Sequence, residues 1–332
     1  MMDSLLSSLI ALTTLSLFSV LPAGAQTPSF GPLSTEEGGP LLRMSYTPMT
    51  ESPDPVEVGA FAASLWSGFS NVFEQDSSAT HWLFLDMERV LTAMTVRYGI
   101  AQDLEIGGRI TLETNGDGVL DPAIVWWHTK LHFGNANRDR YAHDRYEQRL
   151  EREGQLLLDV DQGLLSLEDI RLFAKWRVIS NDSGTGALSL RAVTRIPTNP
   201  NRVGAEAGDV AVMALGRTPM GKWYLHGMVD VSSVQASPEL RSVLRQASAF
   251  SMLGVERRLG ASVAGLVQYT WTSPTMKGFD DREIDGPAGN LTLGLAGRWG
   301  DAWRWDVSFQ EDLPADTPAA DFTLAMSLSR LW

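Results

Sequence analysis

Cysteine is absent from the 332-residue chain. This absence excludes disulfide bonds, a lipid-modified cysteine and thiolate metal sites, and it suits a protein that crosses an oxidising compartment unfolded. No long apolar run follows Leu21, so any membrane insertion beyond that point is not by helices. Positive charge is also scarce, because 27 Lys and Arg face 40 Asp and Glu for a formal net charge of −13. Such an acidic chain is a poor match for nucleic acid.

Near its start the chain has one apolar stretch, residues 4–21, in which Ser and Thr are the only polar residues. It is followed by the small-residue site Ala23-Gly24-Ala25, which predicts a secretory signal peptide over residues 1–25. The three residues before the stretch carry no Lys or Arg, so an uncleaved membrane anchor is the alternative. Residues 26–56 are rich in Pro and Gly and are predicted to form a mobile periplasmic N-terminal arm.

From residue 57 to residue 332 the sequence alternates between apolar and polar residues in segments of strand length. About twelve such segments are found, each near the 9 to 11 residues that a tilted membrane strand requires. The pattern predicts an all-β fold, a transmembrane antiparallel up-and-down β-barrel in the outer membrane of a Gram-negative bacterium. The predicted strands are 57–71, 84–98, 104–114, 169–179, 187–197, 208–217, 222–234, 247–258, 261–272, 289–299, 303–312 and 321–332.

The connections between these segments alternate in length. Short turns are predicted at 99–103, 180–186, 218–221, 259–260 and 300–302, and longer polar loops at 72–83, 115–168, 198–207, 235–246, 273–288 and 313–320. In outer-membrane barrels short turns face the periplasm and long loops face the outside. This sorting therefore predicts the orientation of the barrel.

Charged residues share one parity of the predicted strands. In residues 104–113 one parity carries Leu104 and Ile110, while the other carries Glu105 and Arg109. An arginine facing lipid near the midplane costs roughly 2–4 kcal/mol, so the charged parity is predicted to face the lumen. The predicted lumen-lining residues are Arg97, Glu105, Arg109, Lys175, Arg177, Arg191, Arg195, Asp230, Arg298 and Arg304. Arg171, Asp169, Glu256 and Asp306 have the same parity.

Tryptophans cluster near the short turns, as an aromatic girdle at a membrane interface would. Trp299, Trp303 and Trp332 are predicted as membrane anchors, with Trp332 at the periplasmic end of the last strand.

The long insertion, residues 114–168, interrupts the β pattern. Asp121 and Pro122 are typical of a helix start and Gly134 of a helix end, which predicts a helix near 121–134. Trp127, His128 and Leu131 share a face of this helix. We expect the helix to cover the barrel mouth, and the charged segment 138–153 to be solvated or to form a second helix.

Groups that could carry chemistry are few. His128 and His132 have a helical spacing that suits one metal, and Asp280, Asp281, Glu283 and Asp285 form an acidic loop. Packing in the barrel mouth explains the histidines, and a solvated loop bridged by divalent ions to lipopolysaccharide explains the carboxylates. The prediction is therefore no catalytic residue, no metal and no cofactor, with an outer-membrane enzyme that uses Asp280 and Asp281 as the third choice.

Several segments together resemble one known family, the family of unknown function DUF3187. They are VRYGIAQDLEIGGRI at 96–110, GVLDPAIVWWHTKLHFG at 118–134, NRDRY at 137–141, SLEDIRLFAKWRV at 166–178, and FQEDL at 309–313 followed by DFTL at 321–324. The resemblance spans most of the chain and implies an outer-membrane barrel. It implies no catalytic residues.

The sequence leaves two functions open. A lumen rich in arginine favours a narrow or gated channel for small molecules that are anionic or amphipathic. The same charges could instead form salt bridges that fill the lumen, which would make the protein a structural or interaction protein. Twelve strands enclose a lumen of intermediate width, so the strand number does not decide between an open and a filled lumen. The predicted partners are outer-membrane lipid and lipopolysaccharide, the barrel-assembly machinery and a small solute, but no nucleic acid, and the protein is predicted to be a monomer.

Overall fold

The computed structural model describes residues 29–118, 121–131, 140–141, 145–159, 162–163, 165–181, 183–198, 208–236, 238, 240–314 and 317–332. The predicted signal peptide, residues 1–25, and the alternative membrane anchor lie outside the described residues.

Twelve antiparallel strands form a closed barrel, which confirms the predicted fold class. Each barrel strand pairs with the next one along the chain, and the first strand closes the barrel by pairing with the last, from Ala62–Leu331 to Asn71–Phe322. The barrel strands are β1 (Phe61–Ser77), β2 (His81–Ala101), β3 (Leu104–Gly116), β6 (Ser166–Ser180), β7 (Ala187–Pro197), β8 (Asp209–Met220), β9 (Trp223–Ser233), β10 (Ala247–Arg258), β11 (Val263–Thr272), β12 (Ala288–Trp299), β13 (Trp303–Asp312) and β14 (Phe322–Leu331). A small hairpin of β4 (Glu147–Arg152) and β5 (Gln155–Asp159) completes the sheet.

The short and long connections separate to opposite ends of the barrel, as predicted. We call the end with the five short connections and with Phe61 and Trp332 the turn end, and the opposite end the loop end. One predicted loop, 72–83, is wrong: β1 and β2 continue as paired strands to Ser77–Trp82, and only residues 78–80 connect them. Aromatic and β-branched residues such as Val72, Phe73 and Phe84 favour strand there despite the polar neighbours.

The outer face of the barrel is apolar. Side chains alternate across a strand, so the uncharged parity of each strand points away from the lumen. Exposed members of this face include Leu65, Met94, Ile106, Ile110, Leu172, Leu190, Val212, Val231, Leu253, Val267, Leu293, Val307, Leu324 and Met326. This face is suited to lipid, whereas exposure of so many large apolar side chains to water would be unfavourable.

The long insertion at the loop end contains a helix and a hairpin. Helix α1 runs Asp121–Leu131 and confirms the predicted helix, although Gly134 lies outside the described residues. The charged segment 138–153 was expected to be solvated or helical; instead its last part is strand β4, which pairs with the loop-end extension of β2 at His81–Arg152 to Asp86–Glu147. A further helix, α2, spans Arg282–Asp285. Among the described residues, no helix is long and apolar enough to cross a membrane.

The prediction of a mobile periplasmic arm is wrong for residues 29–56, which we call the lumen segment. These residues lie inside the barrel, and most of them are buried. The physical reason is charge: the inward arginines of the wall need carboxylate partners, and the lumen segment supplies Glu36, Glu51 and Asp54. Its prolines prevent regular strand pairing, but side chains of the wall satisfy much of its backbone instead.

Candidate functional site in the barrel lumen

The lumen segment is a hairpin that enters and leaves the barrel at the turn end. Its first residues contact Glu256, which accepts hydrogen bonds from the Ser29 hydroxyl (2.6 Å) and from the Phe30 N–H (3.0 Å). Its last residue, Val56, donates its N–H to Glu105 at 2.7 Å. The two legs join through Thr35 and Thr50, with the Thr50 N–H donating to the Thr35 carbonyl at 2.9 Å.

The apex of the hairpin lies at the loop end. A 3-10 turn at Leu42–Met44 reverses the chain, after a close approach of Gly39 to loop 313–321. A Cβ atom on Gly39 would lie 2.5 Å from the Pro318 carbonyl oxygen, which is too close for any other residue without a shift of the backbone. The apex thus fits a space that the loops leave for it.

One carboxylate organises the centre of the lumen. Glu36 is 3% exposed and contacts three guanidinium groups, those of Arg43 (2.9 Å), Arg171 (2.7 Å) and Arg109. Arg43 belongs to the lumen segment itself and also forms a two-point ion pair with Glu168 of the wall, at 2.9 and 2.5 Å. Such bidentate pairs fix geometry as well as charge. Arg171 also donates to the Thr47 carbonyl at 2.9 Å, so the cluster connects both legs of the hairpin to β3 and β6.

A second group of ion pairs lies nearer the turn end. Glu51 contacts Arg191 and, at 3.4 Å, the Lys175 ammonium. Asp54 contacts Arg217, including a bond from Nη2 to Oδ1 at 3.1 Å. Ion pairs therefore hold the returning leg as they hold the entering leg.

A cavity of about 380 Å³ opens at the turn end beside the lumen segment. The charged residues that line it are Arg97, Arg217, Arg298, Arg304 and Arg330, with Asp54, Glu57 and Asp301. Of these, Arg298 donates to the Ser29 carbonyl at 3.2 Å and Arg304 to the Pro32 carbonyl at 2.5 Å. Within the described part of the chain, no carboxylate lies within 4.0 Å of Arg97 or Arg298. The cavity lining therefore carries more positive than negative charge, although the protein as a whole is acidic.

A smaller space of about 60 Å³ lies deeper in the barrel and shares Arg97 and Arg304 with this cavity. Arg109, Arg171 and Arg191 also line it. Arginines thus continue from the turn end to the Glu36 cluster, and the lumen segment separates them from the loop end.

The loop end is closed by apolar side chains. Leu41 and Met44 of the hairpin apex lie among buried residues of the strand ends and loops, namely Leu83, Leu85, Met87, Leu150, Leu157, Leu158, Leu240, Val243, Leu244, Met276, Phe279 and Ile284. We call this cluster the loop-end seal. It removes apolar surface of several loops from water at once, which favours a closed mouth.

The structure places all ten predicted lumen residues on the inner face or its rim. Glu105, Arg109, Lys175, Arg191, Arg195 and Asp230 are buried against the lumen segment or within the wall. Arg97, Arg298 and Arg304 border the turn-end cavity, and Arg177 lies at the rim, paired with Asp103 at 2.8 Å. In the wall itself, Asp169 contacts Arg171 (2.8 Å) and Arg195 (3.2 Å).

Sequence reasoning missed the residues of the lumen segment, Glu36, Arg43, Glu51 and Asp54. One signal could have revealed them. The predicted inward face carries more arginine and lysine than acid, and buried charges require partners. Since the chain as a whole has an acidic excess, an irregular segment with spaced carboxylates was a possible source of these partners.

The predicted mouth helix and membrane anchors have mixed outcomes. Asp121 is buried at the start of α1, whereas the side chains of Trp127, His128 and Leu131 lie outside the described residues. At the turn end Trp299 and Trp332 are 62% and 55% exposed on the outside of the barrel. Trp303 is half-buried, and the Arg330 guanidinium lies 5.2 Å from its ring centre and 4.8 Å from that of Trp332.

A closed barrel with an apolar outer face, a charged inner face and aromatic residues at its rim defines the class of transmembrane β-barrels. The particular family follows from the sequence match: the chain belongs to the family of proteins of unknown function DUF3187, whose model matches residues 7–332. A search of the curated proteins found no match.

Solved structures share the barrel architecture. The COG4313 outer membrane channel from Pseudomonas putida F1 superposes with a TM-score of 0.53 at 14% identity, covering 84% of this chain and 97% of that chain. The translocator domain of the autotransporter NalP from Neisseria meningitidis gives 0.39 at 10% identity, covering 82% and 88%. The P. putida toluene transporter TodX gives 0.34 at 8% identity, covering 82% and 88%. The first similarity shows a common fold, and the other two are too weak to support an argument.

Proposed function

We propose that the protein is an outer-membrane channel for small anionic solutes and that its own lumen segment closes it at rest. The observation that carries the proposal is the chemistry of the closure. Through the middle of the barrel the segment is held by ion pairs and hydrogen bonds from Glu36, Glu51 and Asp54. Buried ion pairs roughly break even against solvation of both partners. Water and small ions can therefore replace these ion pairs at modest cost, and the main cost of withdrawal is the apolar packing of Leu41 and Met44 in the loop-end seal.

The charge of the wall decides which solutes the channel favours. If the lumen segment withdraws, its carboxylates leave with it, and Arg109, Arg171 and Arg191 face the open lumen. Rings of arginine and lysine favour anions in a pore. Arg97 and Arg298 at the turn-end cavity extend this positive surface to the barrel end. The channel is accordingly expected to be anion-selective when open.

The proposal includes the location and orientation of the barrel. The apolar outer face and the rim tryptophans suit the outer membrane, with the turn end in the periplasm and the loop end outside. Lipid and lipopolysaccharide would then surround a monomer that the barrel-assembly machinery has inserted. Heat-modifiable migration of detergent-extracted protein tests this assignment, because a membrane barrel migrates differently before and after boiling.

Conductance in planar bilayers tests the channel. The intact protein is expected to give little current, and a variant that lacks residues 29–55 is expected to give a steady current whose reversal potential indicates anion selectivity. Deletion of helix α1, residues 121–131, serves as the control: it removes 11 residues from the loop end but leaves the lumen segment in place, so the conductance should stay low. A folded variant without residues 29–55 that carries no current would overturn the proposal.

A second candidate is a structural or interaction protein that transports nothing. The loop-end seal favours it, because the cluster around Leu83 and Leu244 closes the barrel mouth with apolar contacts that are costly to open. Unchanged permeability of a deletion strain, together with envelope or adhesion defects that depend on the loops, would support this candidate over the channel.

A further inference from the structure

A cluster of potential metal ligands lies at the loop end, outside the lumen. It joins the tip of the β1–β2 hairpin to the loop between β11 and β12 through Asp76, His81 and Asp281. His81 Nε2 lies 2.7 Å from Asp76 Oδ2 and 3.8 Å from Asp281 Oδ2. One ligand atom from each residue falls within 4.8 Å of the other two. From this geometry we propose that Asp76, His81 and Asp281 bind a divalent transition-metal ion of the zinc class.

The histidine is arranged as a metal ligand rather than as a surface side chain. Its ring is buried, with only 6% of the residue exposed, and Nε2 faces both carboxylates. The other ring nitrogen, Nδ1, lies 2.9 Å from the Ser78 hydroxyl. A hydrogen bond at the second ring nitrogen holds the orientation of the ring, as it does for metal-bound histidines. Ser78 is itself held by N–H groups of Thr80 (3.1 Å) and His81 (3.2 Å).

The two carboxyl groups reach the histidine from distant parts of the chain. Asp76 lies at the loop end of β1 and Asp281 in the loop just before α2, and each has an Oδ2 atom near His81 Nε2. Two negative charges close to one imidazole repel each other, and a bound cation would offset that repulsion. The convergence of these three groups is therefore a geometric reason to expect a cation.

The loop that carries Asp281 is already shaped for this role. Oδ1 of Asp281 accepts from the Glu283 N–H at 2.8 Å, as a helix cap, which leaves Oδ2 to face His81. The Asp285 carboxylate accepts N–H groups of Phe279 (2.9 Å), Asp280 (3.2 Å) and Asp281 (3.3 Å) and so holds the loop in place. Little rearrangement beyond a rotation of Asp76 is needed, since ligands of a tetrahedral zinc ion are about 3.3 Å apart.

The ligand set decides the class of metal. One imidazole and two carboxylates suit zinc and its first-row neighbours, with water completing the coordination. Calcium is a poor match because it takes six to eight oxygen ligands. The bound ion would connect the β1–β2 tip to the loop that carries Phe279, whose ring lies 5.6 Å from that of His81 and belongs to the loop-end seal. The ion would thus tighten the closure of the barrel mouth.

Zinc titration of the purified, folded full-length protein, followed by calorimetry, tests the site. We expect one zinc ion per chain, and at least about a 100-fold loss of affinity in His81→Ala and in Asp281→Asn, since even second-sphere changes cost 10- to 100-fold. Ser78→Ala should lose about tenfold. Asp280→Asn is the matched control: it removes the same charge one residue away, and asparagine tolerates the positive φ of 54° at this position.

Each alternative outcome overturns the site. The proposal fails if the intact protein binds no zinc at a 1:1 ratio, or if His81→Ala binds it equally well. It also fails if Asp280→Asn loses as much affinity as Asp281→Asn, because the loop charge alone would then explain binding. Heat-modifiable migration of every variant shows whether the barrel is folded. The substituted residues lie outside the lumen, so this result does not depend on conductance.

Discussion

The two ends of the lumen are closed in different ways. At the loop end, apolar side chains from several loops surround the hairpin apex around Leu41 and Met44. At the turn end, arginines border a cavity of about 380 Å³, and the lumen segment crosses it with its backbone carbonyls bound to Arg298 and Arg304. The contrast indicates that the loop end is closed by apolar packing, which includes the apex of the lumen segment, whereas the turn end is open and charged.

Between these ends the Glu36 cluster decides whether the segment stays in place. Removing one partner from a buried ion pair is far more costly than separating both into water. The largest expected effect therefore comes from a change that leaves the wall arginines behind without a carboxylate.

Glu36→Gln should destabilise the folded protein by about 3–5 kcal/mol, because three buried guanidinium groups lose the charge that they share. Urea unfolding in detergent measures the change. Glu57→Gln is the matched control, since Glu57 is exposed just beyond the lumen segment, and it should unfold like the unmodified protein. Equal stability of the two variants would mean that the cluster does not hold the segment.

Leu83→Ala should cost about 2–4 kcal/mol, because Leu83 is fully buried in the loop-end seal and alanine leaves a cavity. We also expect brief openings in bilayer recordings that the unmodified protein lacks. Leu259→Ala, at an exposed position of a turn-end connection, should change neither quantity. If Leu83→Ala shows no more openings than Leu259→Ala and is equally stable, the loop-end seal does not block the lumen.

Arg298→Ala should have the smallest effect. The side chain is only half-buried, so its interaction with an anion in the cavity is expected to be worth about 1 kcal/mol or less. In the variant without residues 29–55, this substitution should shift the reversal potential toward weaker anion selectivity. Lys222→Gln removes a positive charge from an exposed turn at the same end and should leave the selectivity unchanged. An equal shift in both variants would indicate a general surface-charge effect rather than a property of the cavity.

Much of the barrel could be predicted because every strand meets the same requirement, an apolar face toward lipid and a polar face toward the lumen. A strand that contacts lipid on one side must alternate, so strands such as Leu104–Gly116 and Ala187–Pro197 could be located, and the cost of charge in lipid fixed the inward face. The length of connections then sorted the two ends. The error at residues 72–83 arose because strands that extend beyond a membrane lose the lipid constraint and with it the clear alternation.

The contents of the lumen could not be predicted in the same way. The lumen segment has no period, and its partners are distant in sequence: Ser29 contacts Glu256, and Glu37 contacts Asn290. The cluster of Asp76, His81 and Asp281 is also formed by residues that are distant in sequence, because loop packing brings Asp281 close to Asp76. Such contacts depend on which irregular segment fills a given space, and local sequence does not encode that choice. The charge imbalance of the wall was the available clue.

Because both legs of the lumen segment reach the turn end, a pull on the Ser29 side would act on its contacts one after another. The bonds to Glu256 would break first, then those to Gln268 and Asp306, and only afterwards the ion pairs of Glu36. Sequential peeling needs much less force than shearing every contact at once. A mechanical load from the turn side would therefore reach the apolar contacts of Leu41 and Met44 last, whereas the same load on the loop side would act on the whole loop-end seal together.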